Sequence, residues 1–285
     1  MQPARTTAWT IPGSDGQPIY GDTHEPGGDV LGVLICCHGF KGYKDYGFFP
    51  PLCDRAARAG LRAVRFNFSH SGMTNKTDVF ERPDLFTKDR WSRQIDDLST
   101  VFASVTEDRV LPSVVFGHSR GGVTSTLFAG GRTSQTLAGL VTAAAPDDAC
   151  RLDDLAKAQL RAEGRLRSPS GRTGQDLYVG LDWLEEIERD PDRYDPVLAA
   201  SRLDCPMLIL HGDADDTVPT PCAERLQQAA GPSGTLAIVE GANHVFNCPN
   251  PAPADAYGSL PEQTWVLIDR TVAFAVSRCA QKQKS

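Results

Sequence analysis

A serine between glycines stands directly after a short apolar segment. Residues 117–122 read GHSRGG, and they follow residues 111–116, which read LPSVVF. In such a G-x-S-x-G turn the serine occupies a sharp bend between a strand and a helix, and its hydroxyl projects above the sheet. The flanking glycines, Gly117 and Gly121, leave room for the turn and for neighbouring backbone. The pattern predicts a nucleophile at Ser119 and an N–H at Arg120, at a helix start, that can donate to an oxyanion.

Partners for this serine come later in the chain. A serine hydroxyl is a weak nucleophile until a base takes its proton and an acid orients that base. For this type of turn the expected order is Ser, then Asp or Glu, then His. Residues 211–219 read HGDADDTVP and residues 241–246 read GANHVF. Each segment follows a predicted strand, so the sequence predicts a base at His244 and an acid among the aspartates before it.

Three aspartates compete for the acid position. Asp213, Asp215 and Asp216 lie close together, and aspartates commonly hydrogen-bond their local backbone instead. A calcium site is a poor interpretation because DADD lacks the twelve-residue loop and its terminal Glu. A glycine-rich turn without a catalytic role and a structural His244 are the alternatives for the whole pattern. Because the three segments occur in the order Ser, Asp, His, the pattern favours a catalytic role.

Four of the five other histidines stand near the predicted site segments, and none has a task in this chemistry. We expect His38, His118 and His211 to be structural and to fix loops through hydrogen bonds. We expect His70 to occupy a surface or loop position.

The elements around these residues alternate between short apolar segments and segments of helical period, which is typical of an α/β fold. Near-continuous apolar strands joined by helices predict a doubly wound, mostly parallel sheet that is covered on both faces. Residues 6–24 are expected to form a hairpin or meander at the sheet edge. The strands are predicted at 30–37, 61–68, 111–116, 137–145, 208–210 and 235–239. The chemical residues then fall at the carboxyl ends of strands, where ligands bind in such sheets.

Residues 147–201 interrupt this alternation. They carry no strand signal, and their first half is rich in Arg, Ser and Gly, whereas residues 182–195 are acidic. Leu177, Leu181, Trp183 and Leu184 supply apolar side chains that could dock the segment on the rest of the chain. We predict a small helical cap at 147–201 and a core formed by residues 1–146 and 202–285.

These motifs resemble the α/β-hydrolase superfamily from HGF at 38–40 to NH at 243–244, with the cap unmatched. The family pattern H-G-x-x-D-x-x-V-P matches residues 211–219, which implies that Asp215 is the acid. The family's oxyanion motif falls on residues 38–40, which implies that the N–H of Phe40 is the second donor. Residues 65–72 read RFNFSHSG where many members have D-x-R-G-x-G, so Ser69 and His70 depart from the pattern. The GHSRGG motif resembles the serine motif of several esterase branches, chlorophyllase-like ones among them.

The resemblance implies hydrolysis of a carboxylic ester through an acyl-enzyme, with Ser119 as nucleophile, His244 as base and Asp215 as acid. No metal or organic cofactor is expected. A serine peptidase or acyl-peptide hydrolase uses the same triad, although the absence of a large propeller-like domain counts against the oligopeptidase branch. A thioesterase or carbon–carbon hydrolase would differ only in its pocket lining. A non-catalytic binding protein on this fold is the remaining alternative, and it would be expected to have lost a triad residue.

Composition narrows the function classes. The chain has 285 residues and a formal net charge of −7, which gives no support to nucleic-acid binding. No apolar stretch has the length that spans a bilayer, and residues 1–16 lack the apolar core of a signal peptide. The eight cysteines are scattered except for Cys36 and Cys37, and without a CxxC spacing they indicate reduced, buried thiols. We therefore expect a cytoplasmic protein with a small-molecule ester substrate and no membrane or nucleic-acid partner; a homodimer and disulfides among the other cysteines stay open.

Overall fold

Six parallel strands form the larger part of one sheet in this computed structural model, which describes residues 5–106, 111–131, 136–253 and 257–283. In chain order the strands are β1 (Arg5–Pro12), β2 (Pro18–Glu25), β3 (Gly32–Cys37), β4 (Leu61–Asn67), β5 (Ser113–His118), β6 (Leu137–Ala143), β7 (Arg165–Arg167), β8 (Tyr178–Gly180), β9 (Met207–Gly212) and β10 (Gly234–Val239). Eight of them lie in the order β1-β2-β4-β3-β5-β6-β9-β10. Their arrangement confirms the predicted mostly parallel sheet.

The N-terminal strands form the antiparallel edge of this sheet. β1 pairs with β2, and β2 pairs with β4, both antiparallel. The predicted hairpin at the sheet edge is therefore confirmed. From β4 to β10 every pairing is parallel, so the carboxyl ends of these strands meet at one edge.

Helices cover both faces of the sheet. In chain order they are α1 (Phe49–Arg58), α2 (Pro83–Thr87), α3 (Trp91–Thr106), α4 (Arg120–Gly130), α5 (Asp154–Glu163), α6 (Leu181–Arg189), α7 (Pro196–Ser201), α8 (Pro221–Ala230) and α9 (Glu262–Lys282). Side chains of β3 alternate between the two faces, because successive residues of a strand point to opposite sides. Leu34 packs in a cluster with α1 and α9, and Ile35 packs in a cluster with α3, α4 and α8. This burial on both faces explains the continuous apolar composition of the strands.

The cysteines follow the same alternation. Cys36 belongs to the first of these clusters and Cys37 to the second. All eight cysteines lie in the described part of the chain as free thiols, and all but Cys150 are buried. The expectation of unpaired, mostly buried thiols is confirmed.

Residues 147–201 are not purely helical, so the expectation of a segment without strands is wrong. β7 pairs antiparallel with β8, and the turn between them is held by hydrogen bonds from Ser168 N to Leu177 O and from Ser170 N to Gln175 O. Strands of three residues are too short to show an alternating pattern, so the sequence carried no signal for them. The division into a core and a cap stays a prediction.

The expected apolar contacts of this segment are present. Trp183 and Leu184 of α6 pack in one cluster with Trp91 of α3 and Leu127 of α4, and Leu181 packs against that cluster. Leu177, together with Tyr43, Met73, Phe80 and Phe86, forms a second, smaller cluster. The segment is thus fixed on the sheet edge that carries the chemical residues. In the described ranges no helix has the length and apolarity that crossing a membrane requires.

Candidate active site

Ser119 stands at the turn between β5 and α4, as the G-x-S-x-G pattern predicts. Its backbone has φ 52° and ψ −122°, a conformation that strains a residue with a side chain. A Cβ at Gly117 would lie 2.2 Å from the carbonyl oxygen of Gly121, and a Cβ at Gly121 would lie 2.4 Å from the carbonyl oxygen of Cys37. Both flanking positions therefore require glycine because backbone approaches them closely.

The structure brings three predicted residues together in one hydrogen-bonded chain. His244 Nε2 lies 3.0 Å from Ser119 Oγ, and His244 Nδ1 lies 2.9 Å from Asp215 Oδ2. The side chain of Asp215 is fully buried, and its Oδ1 accepts hydrogen bonds from the backbone N–H groups of Thr217 and Val218 at 2.9 Å each. The aspartate thus orients the imidazole and caps its own loop at the same time.

The protonation of Asp215 follows from these contacts. Burial raises the pKa of this carboxyl, but hydrogen bonds from His244 and from the backbone of Val218 lower it more, so the pKa lies below its ordinary value. The aspartate is therefore ionised at neutral pH. An ionised carboxylate at Nδ1 fixes the imidazole tautomer that leaves Nε2 free to accept a proton from Ser119.

The two competing aspartates make other contacts. Asp213 Oδ1 accepts a hydrogen bond from the N–H of Gly241 at 2.7 Å, and Asp216 Oδ1 lies 3.3 Å from the hydroxyl of Thr217. Both residues are exposed. Neither carboxylate is bonded to the imidazole of His244, so the loop presents Asp215 alone to it.

Three of the remaining histidines fix loops around the site, as expected. His118 Nε2 lies 2.8 Å from the carbonyl oxygen of His244, and His211 Nε2 lies 2.8 Å from that of Val218. His38 bridges the carbonyl oxygen of Gly39 at 2.8 Å and the N–H of Phe68 at 3.3 Å. Burial lowers the pKa of His38 to about 4 and that of His118 to about 3, so both rings are neutral.

His70 lies in the loop after β4, but it is buried rather than at the surface. Its side chain is 2% exposed, and its Nδ1 lies 2.8 Å from Ser69 Oγ. Ser69 is held in turn by its backbone N–H, which donates to Asp97 Oδ2 at 2.7 Å. Ser69 and His70, which depart from the family pattern, therefore lie in a buried loop that the hydrogen bond to Asp97 of α3 holds against the helix.

The two predicted oxyanion donors come from the segments that follow β3 and β5. Phe40 follows β3, and the adjacent Gly39 is so close to the serine that a Cβ there would lie 3.1 Å from Ser119 Cβ. The N–H of Arg120 belongs to the first turn of α4, where amides have no carbonyl partner within the helix. The role of both N–H groups as oxyanion donors stays a prediction.

The side chain of Arg120 makes contacts that sequence reasoning missed. Its guanidinium carbon lies 5.4 Å from the ring centre of Phe40, 4.6 Å from that of Trp91 and 5.9 Å from that of Trp183. Its Nη2 lies 3.1 Å from Asp89 Oδ2, and burial raises the pKa of Asp89 to about 6. No local signal could have revealed this stack, because its members come from four separate segments of the chain.

Two cavities meet at Ser119 and Phe40, which line both. We name the first, of about 200 Å³, the polar pocket; its other lining residues include Lys41, Tyr46, His118, Ser170, Arg172 and His244. We name the second, of about 300 Å³, the apolar pocket; its other lining residues include Trp91, Leu152, Leu166, Val179, Trp183 and Val218. The site therefore has two cavities of different character beside Ser119.

Comparison with known proteins identifies the family. The profile of the Alpha/beta hydrolase family matches residues 34–258, which is more than half of the chain. The protein belongs to the alpha/beta hydrolase family. Uncharacterized protein YqkD of Bacillus subtilis (strain 168) is 26% identical over 243 residues, which cover 85% of this chain and 73% of that protein.

Solved structures share the fold of this alpha/beta hydrolase. A putative hydrolase from Agrobacterium vitis S4 superposes with a TM-score of 0.72 at 22% identity, and the match covers 96% of this chain and 100% of that chain. The esterase domain of a Rhodothermus marinus protein has a TM-score of 0.64 at 18% identity, with 96% and 98% covered. Est1E from Butyrivibrio proteoclasticus has a TM-score of 0.66 at 14% identity, with 96% and 99% covered. The family assignment supports a hydrolase.

Proposed function

We propose that this protein is a serine hydrolase that cleaves carboxylic esters through an acyl-enzyme. The observation that carries the proposal is the chain of two hydrogen bonds from Ser119 Oγ through His244 to Asp215, at 3.0 and 2.9 Å. Such a chain turns a weak nucleophile into a reactive one. The cavities on both sides of the serine are of a size for the two arms of a small ester.

Acylation begins when Ser119 Oγ attacks the ester carbonyl and His244 Nε2 takes the hydroxyl proton. The ionised Asp215 stabilises the imidazolium that forms, and it does so from a position that its backbone hydrogen bonds hold. The backbone N–H groups of Phe40 and Arg120 donate to the developing oxyanion. Loss of one such donor typically lowers kcat by about 10² to 10³-fold.

The tetrahedral intermediate collapses when the imidazolium gives its proton to the departing alkoxide, so the alcohol leaves and the acyl group stays on Ser119. Water then enters, and His244 takes one of its protons as the oxygen attacks the acyl carbonyl. The second intermediate releases the carboxylic acid as the imidazolium returns the proton to Ser119 Oγ. The hydrogen bond between His118 and the carbonyl of His244 keeps the base in place through both steps.

The test combines active-site labelling with turnover. Wild type should react with a fluorophosphonate probe and hydrolyse 4-nitrophenyl esters, and Ser119→Ala should lose both activities. In other enzymes with such a triad, removal of the serine lowers kcat about 10⁶-fold. Equal hydrolysis by the two proteins would refute the proposal.

Assays on the same preparation distinguish ester hydrolysis from thioester and peptide hydrolysis. Acyl-CoA thioesters and 4-nitroanilide peptides are offered beside the 4-nitrophenyl esters, and kcat/KM is compared within each series. Labelling of Ser119 without ester turnover, but with turnover of a peptide or thioester, would move the assignment to a peptidase or a thioesterase. A protein that neither reacts with the probe nor turns over any substrate would be a binding protein on this fold.

A further inference from the structure

The polar pocket is cationic in an acidic protein. Its titratable lining residues are Lys41, Arg172, Tyr46, His118 and His244, and no carboxylate is among its lining residues. The whole chain carries a formal net charge of −7. Positive charge is therefore concentrated beside Ser119 against the overall composition.

Neither cation forms an ion pair among the described residues, although Asp78 is near enough to raise the pKa of Arg172 in part. Among the described residues no carboxylate lies within 4.0 Å of the side-chain nitrogens of Lys41 or Arg172. By contrast, Arg120 in the apolar pocket lies 3.1 Å from Asp89, and Arg167 on β7 lies 2.6 Å from Asp176. Both unpaired side chains are half-buried, and burial lowers the pKa of each. A cation that has lost part of its hydration and has no internal partner is stabilised by an anion from outside.

The contacts that these cations do make hold them in place without neutralising them. Lys41 Nζ donates to the carbonyl oxygen of Pro169 at 2.8 Å, which uses one of its three donors. Arg172 donates from Nη1 to the carbonyl oxygen of Thr77 and from Nη2 to Met73 Sδ at 3.5 Å, and its guanidinium carbon lies 4.5 Å from the ring centre of Tyr43. Both side chains thus keep further donors while their positions are fixed, which is the arrangement of a preorganised anion site.

We propose that the polar pocket binds an anionic group of the substrate, a carboxylate or a phosphate, through Lys41 and Arg172. The inference rests on the proposed function, since the anionic group belongs to the ester that Ser119 attacks. Because the two pockets meet at Ser119 and Phe40, the apolar pocket takes the other arm of the same molecule. The substrate class is an ester with one anionic arm and one apolar arm.

Matched pairs of esters test this specificity, with the ratio of kcat/KM between the anionic and the neutral member as the readout. For the alcohol arm the pairs are 4-acetoxybenzoate with its methyl ester, and 4-acetoxyphenyl phosphate with 4-acetoxyanisole. For the acyl arm the pair is mono-4-nitrophenyl glutarate with its methyl ester. The first two pairs distinguish carboxylate from phosphate. A ratio within one protein cancels any general loss of activity.

We expect wild type to favour the anionic member of at least one pair. Loss of a hydrogen bond to a charged group should lower that ratio about tenfold to a hundredfold in Lys41→Met and in Arg172→Gln. Arg167→Gln is the matched control, because this arginine lies in the same segment but outside the pocket, and its ratio should stay at the wild-type value.

A second measurement uses wild type alone and does not depend on the folding of variants. With a neutral ester as substrate, benzoate or inorganic phosphate should inhibit competitively at concentrations where benzamide does not. Preference for the neutral ester in every pair, or an unchanged ratio in both pocket variants, would overturn the inference. Absence of inhibition by both anions would do the same. If neutral esters are still cleaved through Ser119 in that event, the proposed function stands and only the anion site fails.

Discussion

A close backbone approach in the candidate site, between α4 and the end of β3, predicts the effect of one added methyl group at Gly121. A Cβ at Gly121 would lie 2.4 Å from the carbonyl oxygen of Cys37 and 2.5 Å from that of His38. Real Cβ contacts essentially never fall below 3.0 Å, so Gly121→Ala forces a separation of at least about 0.6 Å between these backbones. Neither partner is a flexible side chain, so α4 and the loop after β3 must move apart.

This movement acts on the two predicted oxyanion donors, because Arg120 belongs to α4 and Phe40 to the loop after β3. A misplacement on the order of 1 Å can lower catalysis about 10²-fold. We therefore expect kcat of Gly121→Ala on a 4-nitrophenyl ester to fall about 10²-fold. Overpacking of this kind typically lowers the free energy of unfolding by about 1–3 kcal/mol.

Steady-state kinetics and urea unfolding of the same preparation check both values. Gly28→Ala is the matched control, because a Cβ there meets nothing within 4 Å and the residue is exposed. It should keep wild-type kcat and stability. If kcat of Gly121→Ala stays within about twofold of wild type, the close approach does not position the donors. That result would refute the expectation that a displacement of these backbones lowers kcat.

Two further predictions concern charge. Asp215→Asn should lower kcat on a 4-nitrophenyl ester about 10⁴-fold, because the imidazole loses its orienting anion. Asp213→Asn should lower kcat less than about tenfold. A larger loss of kcat in Asp213→Asn than in Asp215→Asn would assign the acid to Asp213. Stability should also fall in mild acid, because burial lowers the pKa of His24, His38 and His70 to about 4 and that of His118 to about 3. The unfolded chain then binds more protons below its histidine pKa of about 6.5, so the stabilisation is complete above that pH and is lost as pH falls toward 4. Between pH 7 and pH 5.5 each of these histidines lowers the free energy of unfolding by about 1 kcal/mol. Asp89 acts in the opposite direction, because burial raises its pKa to about 6, and it offsets about 1 kcal/mol of the total. Urea unfolding at the two pH values measures this difference, which His70→Asn should reduce by about 1 kcal/mol; an equal free energy of unfolding at both would contradict the neutral histidines.

The sequence by itself determined the layers of the fold and the chemical residues at the sheet edge. The apolar segments predicted strands because a strand buried on both faces carries few polar residues, as Leu34 and Ile35 of β3 illustrate. The turn at Ser119 was predictable because the G-x-S-x-G pattern that marks it lies within five consecutive residues. Strand ends shifted slightly: β5 begins at Ser113, directly after Pro112, which has no N–H for the sheet.

Only the tertiary structure decided which groups meet. Asp213, Asp215 and Asp216 are equivalent in residue type, and the path of their loop, held by backbone hydrogen bonds to Asp215, brings one of them to His244. The stack of Arg120 on Trp91 and Trp183 and the pair of cations in the polar pocket likewise join segments far apart in the chain. Local periodicity and turn chemistry reach only a few residues, whereas the character of a pocket depends on side chains from several elements at once. The sequence therefore identified the candidate nucleophile within six residues, whereas the character of the two pockets beside it follows only from the folded protein.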